Sequence, residues 1–211
     1  MDKAGSAASL LPERLSLTSL RATARSCRAC PLWRSGTQTV FGEGMKRARM
    51  LLVGEQPGDR EDVEGRPFVG PAGRILDEAL QAAGIDRADA YVTNVVKHFE
   101  WKPKGKRRIH QKPNWSEVSA CRPWVEAEIA VVKPGVLVCL GAVAAQALLG
   151  RDVRVTRDRG RLFESEFAPV AIATIHPSSI LRARDSEERR REQARLVEDL
   201  KRAAEAVEAG G

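Results

Sequence analysis

The sequence predicts an α/β fold: a single domain with three α/β/α layers around a central, four-stranded, mainly parallel sheet. Three observations predict it. Short apolar runs alternate with helical patterns, most of the runs stop at Gly or His-Pro, and 43% hydrophobic content over 211 residues suffices for one well-cored unit. In order, the strands are expected at residues 50–53 (MLLV), ending at Gly54; 90–96 (AYVTNVV), leading into a charged loop; 136–140 (VLVCL), ending at Gly141; and 170–175 (VAIATI), ending at His176-Pro177. Helical spacing predicts residues 72–83, closed by Gly84; 116–132, stopped by Pro134-Gly135; 142–149, closed by Gly150; and a charged helix over 186–207, whose Leu196, Val197, Leu200 and Ala203 face the core. A minor hairpin is expected around 154–164. Residues 1–14 read as a disordered lead, 15–207 as the domain and 208–211 as a tail.

Ligands of such sheets collect at the carboxyl ends of the strands. That rule brings three distant segments into one crevice: GEQPG after the first strand, Asn94 at the end of the second, and HPSS after the fourth.

The net charge of +7, from 35 Lys+Arg against 28 Asp+Glu, favours a polyanionic partner such as nucleic acid. No segment reaches the roughly 18 apolar residues of a membrane helix, and the opening MDKAGSAASLLPERL lacks the apolar stretch of a signal peptide. A cytoplasmic protein without membrane contact is expected. Thiols stay reduced in that compartment, so the four cysteines read as metal ligands or core residues rather than disulfides.

Gly54-Glu55-Gln56-Pro57-Gly58 and the following Gly65 to Gly73 segment offer close backbone approach to a flat or anionic ligand, with Phe68 as a stacking ring; a tight strand-to-helix turn with a core phenylalanine is the plainer reading. Cys27-Arg28-Ala29-Cys30 is a CxxC able to present two thiolates to one metal centre. Cys139 lies inside VLVCL, where a buried thiol is ordinary. The loop KPKGKRRIHQK around Lys106, Arg107 and Arg108 reads as a solvated or phosphate-contacting surface. Trp33, Trp101, Trp115 and Trp124 read as packing residues.

Taken together, GEQPGDREDVEGRPFVGPAGRILD, YVTNVVKH, the CRPW helix start and HPSSILR resemble the uracil-DNA glycosylase superfamily, in particular its iron–sulfur family 4 and the UdgX relatives, from about Cys27 to Leu200. The resemblance implies a uracil-DNA glycosylase-like fold and a 4Fe-4S cluster on Cys27, Cys30 and Cys121, with His98 where family 4 has its third cysteine. Histidine there resembles UdgX. A zinc ion on the same Cys₃His set is the main competitor. The resemblance further implies that Asn94 reads the uracil edge beside Gly54 and Phe68. His176 would donate to the uracil carbonyl, Ser178, Ser179 and Arg182 would contact DNA, and Leu181 or Arg182 could fill the flipped nucleotide's place. Lys106 to His110 match the KRRIH insertion of UdgX, whose histidine attacks the deoxyribose C1′ once uracil leaves. His110 is therefore expected to crosslink the protein to DNA in a single turnover, with Glu55 steadying sugar cation character or orienting and deprotonating His110, and Gln56 positioning. A monomer acting on uracil-containing, preferentially single-stranded DNA is expected. The competing readings are a turnover glycosylase in which His110 only contacts phosphate, and a non-catalytic DNA-binding or redox-sensing iron–sulfur protein.

Overall fold

The computed structural model describes residues 5–209, without the side chain of residue 209. Its strands are β1 (Glu43–Gly44), β2 (Met50–Gly54), β3 (Ala90–Asn94), β4 (Trp101–Lys104), β5 (Arg107–His110), β6 (Val136–Leu140), β7 (Leu162–Phe163) and β8 (Val170–Thr174). Its α-helices are α1 (Leu17–Ala24), α2 (Asp59–Glu64), α3 (Pro71–Ala82), α4 (Trp115–Val132), α5 (Ala142–Leu148), α6 (Val155–Asp158), α7 (Pro177–Leu181) and α8 (Ser186–Ala209).

The main sheet has the order β1-β3-β2-β6-β8-β7. The four expected strands pair in parallel as β3-β2-β6-β8, and the two-residue β1 and β7 add antiparallel edges. The central strands are buried on both faces, which is why their sequences are almost continuously apolar. Alternate residues separate the two cores: Leu51, Val53, Tyr91, Leu137 and Cys139 pack with α4 and α5, whereas Leu52, Val92, Val138, Leu140 and Ile172 pack with α3 and α8. Leu196, Leu200 and Ala203 of α8 are fully buried in the second core. No helix among the described residues is long and apolar enough to cross a membrane.

Several expectations are corrected. The disordered lead does not extend over residues 5–14: Ser6 caps a 3-10 turn at Ala7–Leu10, Ala7 is fully buried, and the Gly5 N–H donates to Ala29 O at 2.7 Å, tying this segment to the CxxC loop. The remainder of that lead (1–4) and the end of the tail (210–211) lie outside the described residues. No hairpin forms over 154–164. The Asp158 carboxylate accepts from the Arg154 N–H at 2.8 Å and closes the helical turn α6, while β7 pairs back onto β8. The hairpin lies instead in the charged loop, where β4 and β5 pair around Gly105, at φ 58°. The CRPW segment is not a helix start. Asn114 and Glu117 form the capping box, so α4 begins at Trp115 and carries Cys121 in its second turn.

Candidate active site

β2 and β3 end side by side, with Gly54 opposite Asn94. A Cβ at Gly54 would collide with Asn94 Oδ1, lie 2.8 Å from Phe68 Cζ and lie 3.3 Å from His176 Nε2. Three side chains predicted to meet a base therefore converge on a point that only glycine leaves open. Asn94 Oδ1 is buried and has no hydrogen-bond partner among the described residues, an expensive state for an amide oxygen unless a ligand donor meets it. Phe68 holds the left-handed backbone (φ 56°), rare outside glycine, and its ring lies 6.0 Å from that of His176 at an interplanar angle of 25°.

His176 caps α7. Its Nδ1 accepts the Ser178 N–H at 3.1 Å, and burial pushes its pKa down to about 4. The ring is thus neutral, and because Nδ1 is an acceptor the proton resides on Nε2, the nitrogen facing Gly54. The site consequently offers a donor from His176 and an acceptor from Asn94. Ser178 and Ser179, expected to hold phosphates, are engaged with this histidine: Ser178 Oγ lies 2.9 Å from Nδ1, and the Ser179 hydroxyl donates to His176 O at 2.7 Å. Arg182 is exposed and donates to Ser178 Oγ at 3.3 Å.

The β4-β5 hairpin brings His110 to the same crevice. Gln56 fixes the contact through its own amide: Oε1 accepts the Glu100 N–H at 3.0 Å, so Nε2 is the donor, and it reaches Gln111 O at 2.7 Å and His110 Nε2 at 2.9 Å. His110 Nε2 therefore carries a lone pair. Glu55 Oε1 lies 3.6 Å from that nitrogen; the histidine side chain is half exposed and the Glu55 side chain 23% exposed. Burial raises the Glu55 pKa above the ordinary carboxylate range, against the pull of Lys112 and Arg182. Partial burial, then the charge of Arg182, lowers that of His110.

Arg108, expected on the phosphate surface, instead docks the hairpin. It bonds Asp59 Oδ1 at 2.5 Å and Asp62 Oδ2 at 2.6 Å, and stacks over Phe99 and Trp101. Lys106 and Arg107 remain exposed at the hairpin turn. The two aspartates are on α2, so the GEQPGDRED segment holds both Gln56 and the anchor of the histidine-bearing strand.

Cys27, Cys30, Cys121 and His98 are all buried. Burial drives the pKa of Cys121 up to about 12, and Trp124, three residues further along α4, reaches Cys27 Sγ, so the CxxC loop packs against the helix that carries Cys121. Two N–H groups already point at sulfur: Lys97 N to Cys121 Sγ at 3.2 Å and Trp124 Nε1 to Cys27 Sγ at 3.3 Å. A hollow of about 160 Å³ is bordered by Cys27 and His98. His98 is held neutral by burial, with a pKa near 4, and its Nε2 is 3.0 Å from Thr39 Oγ1. Donor softness, neutrality of the imidazole and N–H groups aimed at sulfur all suit a thiolate-bound metal centre. Among the described residues no three His, Cys, Asp or Glu side chains converge closely enough to hold a single metal ion. Cys139 is a core thiol, as expected from its strand.

Sequence reasoning passed over Lys97 and Glu128. Both are fully buried and form an ion pair; Lys97 Nζ also donates to Asn94 O at 2.7 Å, and Glu128 accepts from Tyr91, Thr93 and the Gly42 N–H. A lysine within YVTNVVKH and a glutamate four residues after Trp124 carry no spacing signal that would pair them.

Residues 41–201 match the model of the uracil DNA glycosylase superfamily. The chain is 39% identical over 188 residues to a type-4 uracil-DNA glycosylase of Thermotoga maritima, covering 89% of this chain and 92% of that one. A type-4 uracil-DNA glycosylase of Pyrobaculum aerophilum is 37% identical over 175 residues, covering 80% and 86%. A type-5 uracil-DNA glycosylase of Thermus thermophilus is 33% identical over 140 residues, 59% of each chain. With the matched region enclosing the Gly54, Asn94 and His176 pocket, the chain belongs to the uracil-DNA glycosylase superfamily.

Proposed function

We propose that the protein is a uracil-DNA glycosylase that excises uracil from DNA and is captured on its product, His110 Nε2 bonding the deoxyribose C1′. The observation that carries the capture is the contact between Gln56 and His110, which leaves a nucleophilic nitrogen facing a carboxylate at the mouth of the base pocket.

The base enters beside Gly54 and stacks on Phe68. Its N3–H meets the unpartnered Asn94 Oδ1, an acceptor that the lone pair on cytosine N3 would oppose. As the C1′–N1 bond breaks, its electron pair leaves with the uracil, and the Nε2–H of His176 stabilises the charge gathering on the carbonyl oxygen. The sugar gains cation character, which the Glu55 carboxylate stabilises. The Gln56 N–H then gives up the Nε2 lone pair of His110, which forms the C1′–N bond. The resulting imidazolium loses its Nδ1 proton to solvent, and the neutral alkylimidazole is too poor a leaving group for water to displace readily. Lys106, Arg107 and Arg182 supply phosphate contacts around the mouth.

A 4Fe-4S cluster on Cys27, Cys30, Cys121 and His98 fits the buried donor set. It supplies a redox-capable metal centre, with the imidazole raising its potential relative to four thiolates. We place the protein in the cytoplasm as a monomer. Its preferred substrate is single-stranded DNA, where the uridine is already unpaired and costs least to extrude.

The test is a denaturing gel with uracil-containing single-stranded DNA. A heat-stable protein–DNA band is expected, lost in His110→Ser, with product capped near one per protein in the wild type. Free abasic DNA in excess of enzyme would instead indicate turnover, with His110 as a phosphate contact. Unchanged uracil DNA would indicate a binding protein.

A further inference from the structure

A second concavity begins where the hairpin docks. Thr37, whose hydroxyl accepts from Arg108 Nη1 at 3.2 Å, lines two adjoining hollows of about 400 and 160 Å³, the smaller being the one that Cys27 and His98 also border, of which only the arginine-bearing rim enters here. They share Arg25, Thr37, Gln38 and Thr39; Arg21 borders the larger and Arg28 the smaller. All three arginines are exposed. Among the described residues the one carboxylate on these walls is Glu43, and Arg66 already holds it with bonds of 2.9 and 2.7 Å, which keep its pKa low. Arg21 donates to Gly42 O at 2.7 Å, and Arg28 lies 4.7 Å over the ring of Trp33. Neither Arg25 nor Arg28 has an acidic partner among the described residues. The walls therefore carry uncompensated positive charge spread over two adjoining hollows rather than at one point.

A repeating anion suits such a surface better than a single one, because each guanidinium releases its own counterion on meeting a phosphate. The hollows also lie close to the proposed reaction site. From His110 to Arg108 is two residues of extended strand, roughly 7 Å, and the Arg108 side chain spans the remaining gap to Thr37. We infer that this groove is a track for the backbone phosphates of the DNA strand leading away from the reacting uridine, with Arg25 and Arg28 as its principal contacts. The inference rests on the DNA-directed reading given above and adds where the flanking strand lies.

The test uses the full-length protein and single-stranded oligonucleotides with thymine in place of uracil, so that neither excision nor capture enters the measurement. Binding is followed by fluorescence anisotropy for oligonucleotides of about 5 and about 15 nucleotides, between about 50 and 200 mM salt. Arg25→Gln/Arg28→Gln is expected to weaken the longer oligonucleotide about tenfold at low salt, and to reduce the slope of log K against log salt by about 1.4, while the shorter one changes little. Arg161→Gln/Lys201→Gln removes the same charge elsewhere. Arg161 borders the β7 edge, and Lys201 lies on the half of α8 that reaches Arg49 at the amino ends of the strands. That variant should leave both quantities unchanged. Arg28 lies between two proposed cluster ligands, so visible absorbance is recorded for each variant. If it changes, Arg25→Gln alone decides, with an expected slope change of about 0.7. An unchanged slope in Arg25→Gln, or an equal loss in the control variant, would overturn the track. Because no uracil is present, failure of the excision reading would leave this result standing.

Discussion

Gln56 donates its side-chain N–H to His110 Nε2 across 2.9 Å, and the orientation of that amide is set by the Glu100 N–H it accepts on its other side. The chain thus chooses the tautomer of its own candidate nucleophile: the lone pair is on Nε2, beside Glu55. Gln56→Ala would leave the ring free to rotate and to change tautomer. A hydrogen bond of this kind contributes about 1 kcal/mol, so crosslinking should slow by about fivefold to tenfold in single-turnover gels, while uracil release into solution persists.

Gly54→Ala places a methyl group where Asn94 Oδ1, Phe68 and His176 meet. The fold should survive, since the extra carbon enters the pocket rather than the core. Uracil excision should fall at least about a hundredfold, as the base can no longer seat against its donor and acceptor. Circular dichroism and an excision assay together check both halves of this outcome.

Arg108→Ala removes the guanidinium that joins β5 to Asp59 and Asp62. Loss of charge-assisted bonds to the buried Asp62 should cost about 1–3 kcal/mol of hairpin docking. Crosslink yield should drop more than excision, and the turn at Gly105 should become a preferred site of limited proteolysis.

The pH profile separates Glu55 from His110. Burial raises the carboxyl above its ordinary 4.5 and lowers the imidazole below its ordinary 6.5, which moves the two titrations toward one another and leaves His110 neutral at neutral pH. Crosslinking should rise along a limb above pH 4.5 and then stay level through neutrality. Glu55→Gln should be slow and should flatten that limb; a limb that persists in Glu55→Gln would assign it to His110 instead. Stability follows a separate group. His176 is half-buried, with a pKa near 4 against 6.5 for a free imidazole, so the unfolded chain takes up its proton first as pH falls. Its contribution, a few kcal/mol, is complete above pH 6.5 and is lost as the pH falls through 4, which urea melts of wild type and His176→Gln would show as converging curves.

Breaking the buried Lys97 and Glu128 pair from one side should destabilise strongly. Glu128→Gln or Lys97→Met leaves a lone charge, or an uncompensated ammonium against Asn94 O, at a cost of about 3–5 kcal/mol in urea unfolding. Lys97→Met/Glu128→Leu should recover much of the loss in stability without restoring excision, because the Asn94 backbone has lost its donor.

The parallel core was legible because strands covered on both faces are written as continuous apolar runs, and because Gly54 and His176-Pro177 punctuate them at the ends where ligands collect. The two-residue β1 and β7 were not, since edges that short carry no periodicity. The convergence of Asn94, Phe68 and His176 was legible from the strand ends on which their motifs lie. The bonds of Arg108 were not, because a cationic loop gives no hint of Asp59 and Asp62, which lie on another element. Nor were those of Ser178 and Ser179, since a hydroxyl after a strand can serve a phosphate or its own neighbour, and here it meets His176.

The proposed capture joins one imidazole nitrogen to one sugar carbon. Intact mass of the protein after reaction with a uracil-containing oligonucleotide, followed by peptide mapping, measures it directly. The expected product is protein plus oligonucleotide minus uracil, with the sugar mapped to His110. Unmodified protein beside free abasic DNA, or attachment at any other residue, would contradict the account.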